Sequence, residues 1–354
     1  MPMPALRIAQ VAPPFEPVPP VAYGGTERIV GTLVEELHRR GHDVTLFASG
    51  DSTAPGRLIA TVPRALRSLG LATDPAPYVL ATELAVMRAA AEFDIVHAHL
   101  EFGGLLLARA LAVPTVVSLH GRVDQSWAAG LLAEAPPGMV AISAAQAATR
   151  PEVAWSVVHN GLRLAGAPFD ERPGDALCYV GRFMPEKGLV EAIDIARRSG
   201  RALKVAAKEP STAAERAYFE ESFRNARRSA DVEYLGELGG RDRDRLLAAS
   251  HATLMPGDWP EPFGLVAIES LACGTPVVAR RTGALPEIVR DGIDGIVDDS
   301  VEAMAARLPE IAGLDRAAIR ASVLERFSAE RMVDGYEAVY GRLLGLRSPV
   351  GAGR

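Results

Sequence analysis

TERIVGTLVEELHRRGHDVTLFA, spanning Thr26–Ala48, decides the fold. Its first part spaces Ile29, Val30, Leu33, Val34 and Leu37 on one helical face, with Thr26 as the expected cap and Gly41 as the stop. DVTLFA then reads as a buried strand, and LRIAQVA (Leu6–Ala12) as another before the helix. Strand, helix, strand is the unit of a parallel sheet covered on both faces.

The same alternation runs outward along the chain. A helix is expected near Ala81–Glu92, strand DIVHAH, helix Gly103–Leu111, strand TVVSLH, a short helix near Gln125–Ala133, and strands MVAIS and WSVVHNG. Between Arg163 and Ala176 the periodicity stops and Pro, Gly and charge collect, as in a linker. Five further strands follow: ALCYVG, LKVAA, VEYLG, ATLMP and TPVVA. Helices are expected from about Lys187, Thr212, Asp242, Gly264 and Pro286, then over Val301–Ala312 and Arg316–Phe327, and in AERMVDGYEAVYGRLLGL. The expected class is α/β, with two Rossmann-like doubly wound parallel-sheet domains facing a cleft. Residues 1–167 form the first, 168–328 the second, and 329–354 a helix packing back on the first domain, followed by a loose tail. Two open sheets of this kind bind ligand at the carboxyl ends of their strands.

Bulk properties narrow the function. A chain of 354 residues exceeds what one core supports. A net charge of -6 argues against a nucleic-acid surface. Cys178 and Cys273 are the two cysteines, which fits a reducing cytoplasm. The start of the chain lacks a charged n-region followed by an apolar core, and GGLLLARALAVPTVVSLHG is interrupted by Arg109, Pro114 and His120, so neither export nor a membrane span is expected. Exposed apolar side chains on first-domain helices would permit contact with a membrane surface, but no basic amphipathic stripe accompanies them.

The unusual residues fall at strand ends. GRFMPEKG (Gly181–Gly188) follows a strand directly, and Arg182 and Lys187 flank the start of a helix, where a diphosphate would fit. The plainer alternative pairs Arg182 with Glu186 and leaves Lys187 solvated. EPFGLVAIE sets Glu261 in a loop and Glu269 about one and a half turns into a helix. Between them, amides around Phe263, Gly264 and Leu265 form an anion site, so sugar hydroxyls, phosphates and ribose hydroxyls would all find partners. Alternatively the acids only complement the helix dipole. That leaves unexplained why DWPEPFG stiffens the loop holding one of them.

EPFGLVAIESLACGTPVVARRTGALPEIVRDGIDGIV resembles the glutamate, seven residues, glutamate signature of family 4 retaining glycosyltransferases, which have the GT-B architecture. GRFMPEKG, the glycine pair in YGGTERIV, DIVHAH, VVSLHG, AIS and HNG match the same family in order, over nearly the whole chain. The resemblance implies that Arg182 and Lys187 bind the nucleotide diphosphate, Glu261 the donor sugar and Glu269 the ribose. Gly24 and Gly25 would approach the phosphates and reacting sugar, and His120 would lie near the anomeric carbon. His120 could otherwise be a capped strand end. Base recognition would fall to loops near Glu237 and Leu238. Two departures stand out: VAAKEPS (Val205–Ser211) replaces a glycine-rich turn, so Lys208 could add charge near the donor, and Gly257 stands where a serine is common.

The implied reaction transfers a hexose from a UDP- or GDP-linked donor to a hydroxyl acceptor, whether glycan, metabolite or natural product, with retention, with no cofactor and with no metal. With no obvious nucleophile present, a front-face route is expected, Glu261 acting as an orienting group. DRD (Asp242–Asp244) has the letters of a metal motif but opens a helix, where acids suit the dipole. Three rival readings remain: a zinc hydrolase built on His97, His99 and His120, a same-fold sugar-nucleotide epimerase, and a non-catalytic two-lobed sugar-binding protein.

Overall fold

A computed structural model describes residues 3–21, 24–67, 74–172 and 174–346. The chain divides into two compact units: Leu164–Arg326, and the described residues up to Arg163 together with those from Phe327 onward. Each unit holds one all-parallel sheet with helices between most of its strands, the doubly wound α/β class expected from the sequence.

In the first unit, β1 (Arg7–Val11), β2 (Asp43–Ser49), β3 (Arg57–Val62), β4 (Ile95–Ala98), β5 (Thr115–Leu119), β6 (Met139–Ala141) and β7 (Ser156–Val157) are ordered β3-β2-β1-β4-β5-β6-β7. In the second, β8 (Leu177–Gly181), β9 (Leu203–Ala207), β10 (Val232–Gly236), β11 (Thr253–Met255), β12 (Val277–Arg280) and β13 (Gly295–Asp298) are ordered β10-β9-β8-β11-β12-β13. The strand order reverses between β1 and β4 and between β8 and β11. In doubly wound sheets the loops at such a switch point diverge to opposite faces and leave a crevice at the carboxyl ends of the strands.

Sequence reasoning missed β3 and β13. β3 is an edge strand whose residues are mostly exposed or half-buried, and β13 is four residues long behind a turn. The first helix also differs at its start: it spans Gly25–Arg39 with Gly24 as N-cap, so Thr26 is not the cap. Gly24 sits at φ 153°, a conformation that side chains rarely adopt, and this lets the chain enter the helix earlier. The second helix begins at Ala76, with Pro77 tolerated in its first turn, and ends in a 3₁₀ turn over Ala90–Glu92.

The Ala329–Leu343 helix, capped by the Ser328 hydroxyl, packs on the first unit. Arg40 reaches Asp334 and Glu337, each at 2.8 Å, and the Tyr336 and Tyr340 rings are fully buried. The loose tail expected beyond residue 346 lies outside the described residues. No helix among the described residues is long and apolar enough to cross a membrane.

Candidate functional site

At the second unit's switch point, three loops are stitched together by backbone contact. β8 ends at Gly181, which Tyr179 folds over: a Cβ there would lie 2.6 Å from the phenol oxygen. The buried Tyr179 hydroxyl faces the carbonyls of Arg182 at 3.4 Å and Lys187 at 3.3 Å, so one phenol holds both ends of the loop. Phe183, fully buried, anchors the middle against Phe219, Phe223 and Tyr234, with ring centroids 4.9–5.5 Å away. Lys187 closes a 3₁₀ turn, Pro185–Lys187, before the Leu189–Ser199 helix.

The loop after β11 lies directly on this one. A Cβ on Gly188 would meet the Gly257 nitrogen at 2.4 Å, a Cβ on Gly257 would meet the Glu186 carbonyl at 2.4 Å, and Trp259 N donates to that carbonyl at 3.1 Å. A serine at position 257 has no room here. A third loop backs Glu261: Ala284 N donates to the Glu261 carbonyl at 2.9 Å, and Gly283, at φ 54°, abuts the Glu261 backbone.

Lys187 Nζ donates to the Glu261 carboxylate and lies 5.2 Å from the centre of the Trp259 ring. Arg182 Nη1 is 3.9 Å from Glu215 Oε1. Burial pushes the Glu215 carboxyl up, but hydrogen bonds from Thr212 and Ser211 outweigh it and hold the pKa below the ordinary carboxylate range. Gly264, at φ 110°, is the N-cap of the Leu265–Ala272 helix, whose first-turn amides point out of its own ladder. Phe263 is buried beside it.

Glu269, on that helix, is buried and paired with Arg243 at 2.9 Å; Arg243 also holds Asp244 at 3.0 Å. Neither Arg243 nor Glu215 was singled out from sequence for the site: Arg243 is the middle residue of DRD and Glu215 closes a capping box with Thr212, local settings that do not show which distant side chain each meets. Lys208 lies half-buried just past β9, Glu237 is exposed after β10, and Leu238 packs on the cluster around Leu246 and Cys273. Asp242 pairs with Arg245 at 3.0 Å on the Gly240–Ala249 helix, as the helix-opening reading of DRD requires.

In the first unit, Gly24 and Gly25 open the first helix. His97, His99 and His120 are joined in a hydrogen-bonded series. His120 Nε2 is 2.8 Å from His99 Nδ1, and His99 Nε2 is 2.9 Å from Gln10 Oε1. Gln10 Nε2 reaches Tyr340 Oη at 3.0 Å, Tyr340 Oη is 2.8 Å from His97 Nδ1, and His97 Nε2 is 2.8 Å from Ser118 Oγ. Burial pushes His120 down to about 4 and His97 and His99 well below the ordinary imidazole range. Their nitrogens thus serve one another, Gln10, Tyr340 and Ser118, which is not the convergent set a zinc hydrolase would need. Among the described residues no group of three or more His, Cys, Asp or Glu is arranged to hold a metal ion. Glu101, at φ 51°, accepts from the amides of His120 and Gly121 at 3.1 and 3.2 Å.

Residues 23–162 match the family described as Glycosyltransferase Family 4, and 172–314 the one described as Glycosyl transferases group 1. The chain is 30% identical over 397 residues to the D-inositol 3-phosphate glycosyltransferase of Mycolicibacterium vanbaalenii, covering 91% of this chain and 86% of that protein. It is 28% identical over 369 residues to the glycogen synthase of Mycobacterium tuberculosis strain H37Rv, covering 88% and 86%. Its fold matches the crystal structure of AviGT4, a glycosyltransferase involved in avilamycin A biosynthesis, with a TM-score of 0.72 and 27% identity over 96% of this chain and 98% of that one.

Proposed function

The chain belongs to the glycosyltransferases that join a Family 4 first half to a group 1 second half, and on that premise we propose that it moves a hexose from a nucleoside diphosphate sugar to a hydroxyl acceptor, with retention and without a metal ion. The observation that carries the reading is the meeting of Lys187 with Glu261, beside Arg182 and the opening of the Leu265–Ala272 helix, at a sheet's switch point.

An ammonium has three N–H donors, so Lys187 can keep Glu261 and still serve a phosphate. Arg182 and the helix N-terminus add charge complementarity for the same group. As the bond from the anomeric carbon to the diphosphate oxygen breaks, negative charge grows on the departing phosphate, and donors already in place stabilise it without reorganising. The acceptor oxygen bonds the carbon on the face the phosphate leaves, and its proton passes to that phosphate. Glu261, committed to Lys187, orients the sugar. Glu269 is assigned to the ribose, and Gly24, Gly25 and His120 to the reacting end of the donor, on the family resemblance alone. Lys208, Glu237 and Leu238 are assigned to the donor's surroundings on the same basis.

Thermal unfolding against UDP-, GDP-, ADP- and dTDP-linked sugars, each with and without EDTA, tests this, since a bound ligand stabilises by RT ln(1 + [L]/Kd). A stabilising nucleotide sugar, unaffected by EDTA, supports the reading, and proton NMR of the product then reports the anomeric configuration. If no sugar nucleotide shifts the transition, the reading fails.

A further inference from the structure

We propose that Gln10 is a positioning residue that fixes the tautomer of His120, so that His120 offers Nδ1 as a bare acceptor instead of an N–H. The inference rests on the placement of His120 against the donor's hexose.

The argument runs along the hydrogen-bond chain from its amide. An amide oxygen only accepts, so with Gln10 Oε1 at 2.9 Å, His99 Nε2 must carry the proton. A buried neutral imidazole has one N–H, which leaves His99 Nδ1 bare. His120 Nε2, 2.8 Å from that nitrogen, must then be the donor. His120 is itself neutral, so its Nδ1 is bare and can accept from a sugar hydroxyl but cannot donate to a phosphate.

The far side of Gln10 agrees with this direction. Its Nε2 donates to Tyr340 Oη at 3.0 Å, with His97 Nδ1 at 3.4 Å. The Tyr340 hydroxyl keeps its own proton for His97 Nδ1, and His97 Nε2–H serves Ser118, which in turn is 3.1 Å from Tyr336 Oη. Turning the amide over would invert all three imidazoles together, so one side chain sets the proton pattern of the series. Gln10 and both tyrosines are fully buried, which leaves no bulk water to blur that pattern. Glu101, the carboxyl facing His120, bonds backbone amides and does not compete for the ring.

Histidine-selective ¹⁵N labelling, with long-range ¹⁵N–¹H correlation spectra assigned through His97→Gln, His99→Gln and His120→Gln variants, reads the tautomers without any transfer assay. Wild type is expected to show His120 and His99 as Nε2–H. Gln10→Met, which removes the acceptor, should convert His120 from one tautomer to a mixture. Gln10→Glu, which keeps an oxygen facing His99, should restore the wild-type form. A wild-type His120 found as Nδ1–H, or a Gln10→Met spectrum identical to wild type, overturns the proposal. A wild-type tautomer pattern as expected, with full turnover in His120→Ala, would instead remove the placement of His120 at the sugar and leave the role of Gln10 intact.

Discussion

Lys187 and Glu261, 74 residues apart in sequence, hydrogen-bond to each other at the point where β8 and β11 diverge. The two residues assigned to phosphate and sugar are therefore one unit, and the Trp259 ring beside the ammonium limits its exposure. Lys187→Ala is expected to lower kcat about 10²–10³-fold, the usual effect of removing one preorganised transition-state donor. Because Glu261 then loses its anchor, Lys187→Ala combined with Glu261→Gln should cost much less than the two single losses together. Additive losses in kcat would show that the pair does not act as a unit.

Arg243 and Glu269 form a second such pair, but a more buried one. Arg243→Met leaves the Glu269 carboxylate enclosed without its cation, a change that typically costs about 3–5 kcal/mol. Urea unfolding should show a lower midpoint for Arg243→Met, recovered in large part by adding Glu269→Gln. An unchanged midpoint in the single variant would mean that another group neutralises Glu269.

Close backbone packing of Gly188 on Gly257 sets the spacing of the two site loops. Gly257→Ser places a Cβ against the Glu186 carbonyl, and Gly188→Ala adds a side chain at φ 75°. Each should destabilise by at least about 1–3 kcal/mol, as overpacking does, and should lower turnover by moving Lys187 away from Glu261. Calorimetry on both variants, beside exposed Gly292→Ala as a control with open space around its Cβ, distinguishes crowding from backbone strain.

The fold was legible because parallel strands buried on both faces read as continuous apolar runs, as in LRIAQVA and DVTLFA. β3 escaped because an edge strand needs only one apolar side, and β13 because four residues carry too little pattern. Local motifs marked Arg182 and Lys187, each after β8 and next to a glycine, and Glu261 and Glu269, which stand on either side of Gly264 in EPFGLVAIE. What they touch was not legible: Glu215, Arg243 and Trp259 reach them through tertiary packing, and Gln10 and Tyr340, 330 residues apart, meet only because the last helix returns to the first sheet.

Glu27, buried in the first turn of the first helix, carries the pH prediction. Burial, only partly opposed by hydrogen bonding, raises its carboxyl from 4.5 to about 7, and burial does the same to Glu101. A group whose folded pKa is raised binds its proton more tightly when folded. Its stabilising contribution is complete below about pH 4.5, falls as pH rises and is gone above about 7. For Glu27 the whole change amounts to about 3 kcal/mol at most. The buried histidines oppose it: His120, lowered to about 4, removes stability as pH falls from its ordinary 6.5. Glu27→Gln deletes the carboxyl contribution alone. The Tm of the variant should match wild type near pH 4.5 and exceed it increasingly up to about pH 7, with a constant difference above. A Tm difference that does not change across that range would show that the Glu27 carboxyl ionises in the folded protein much as it does in the unfolded chain.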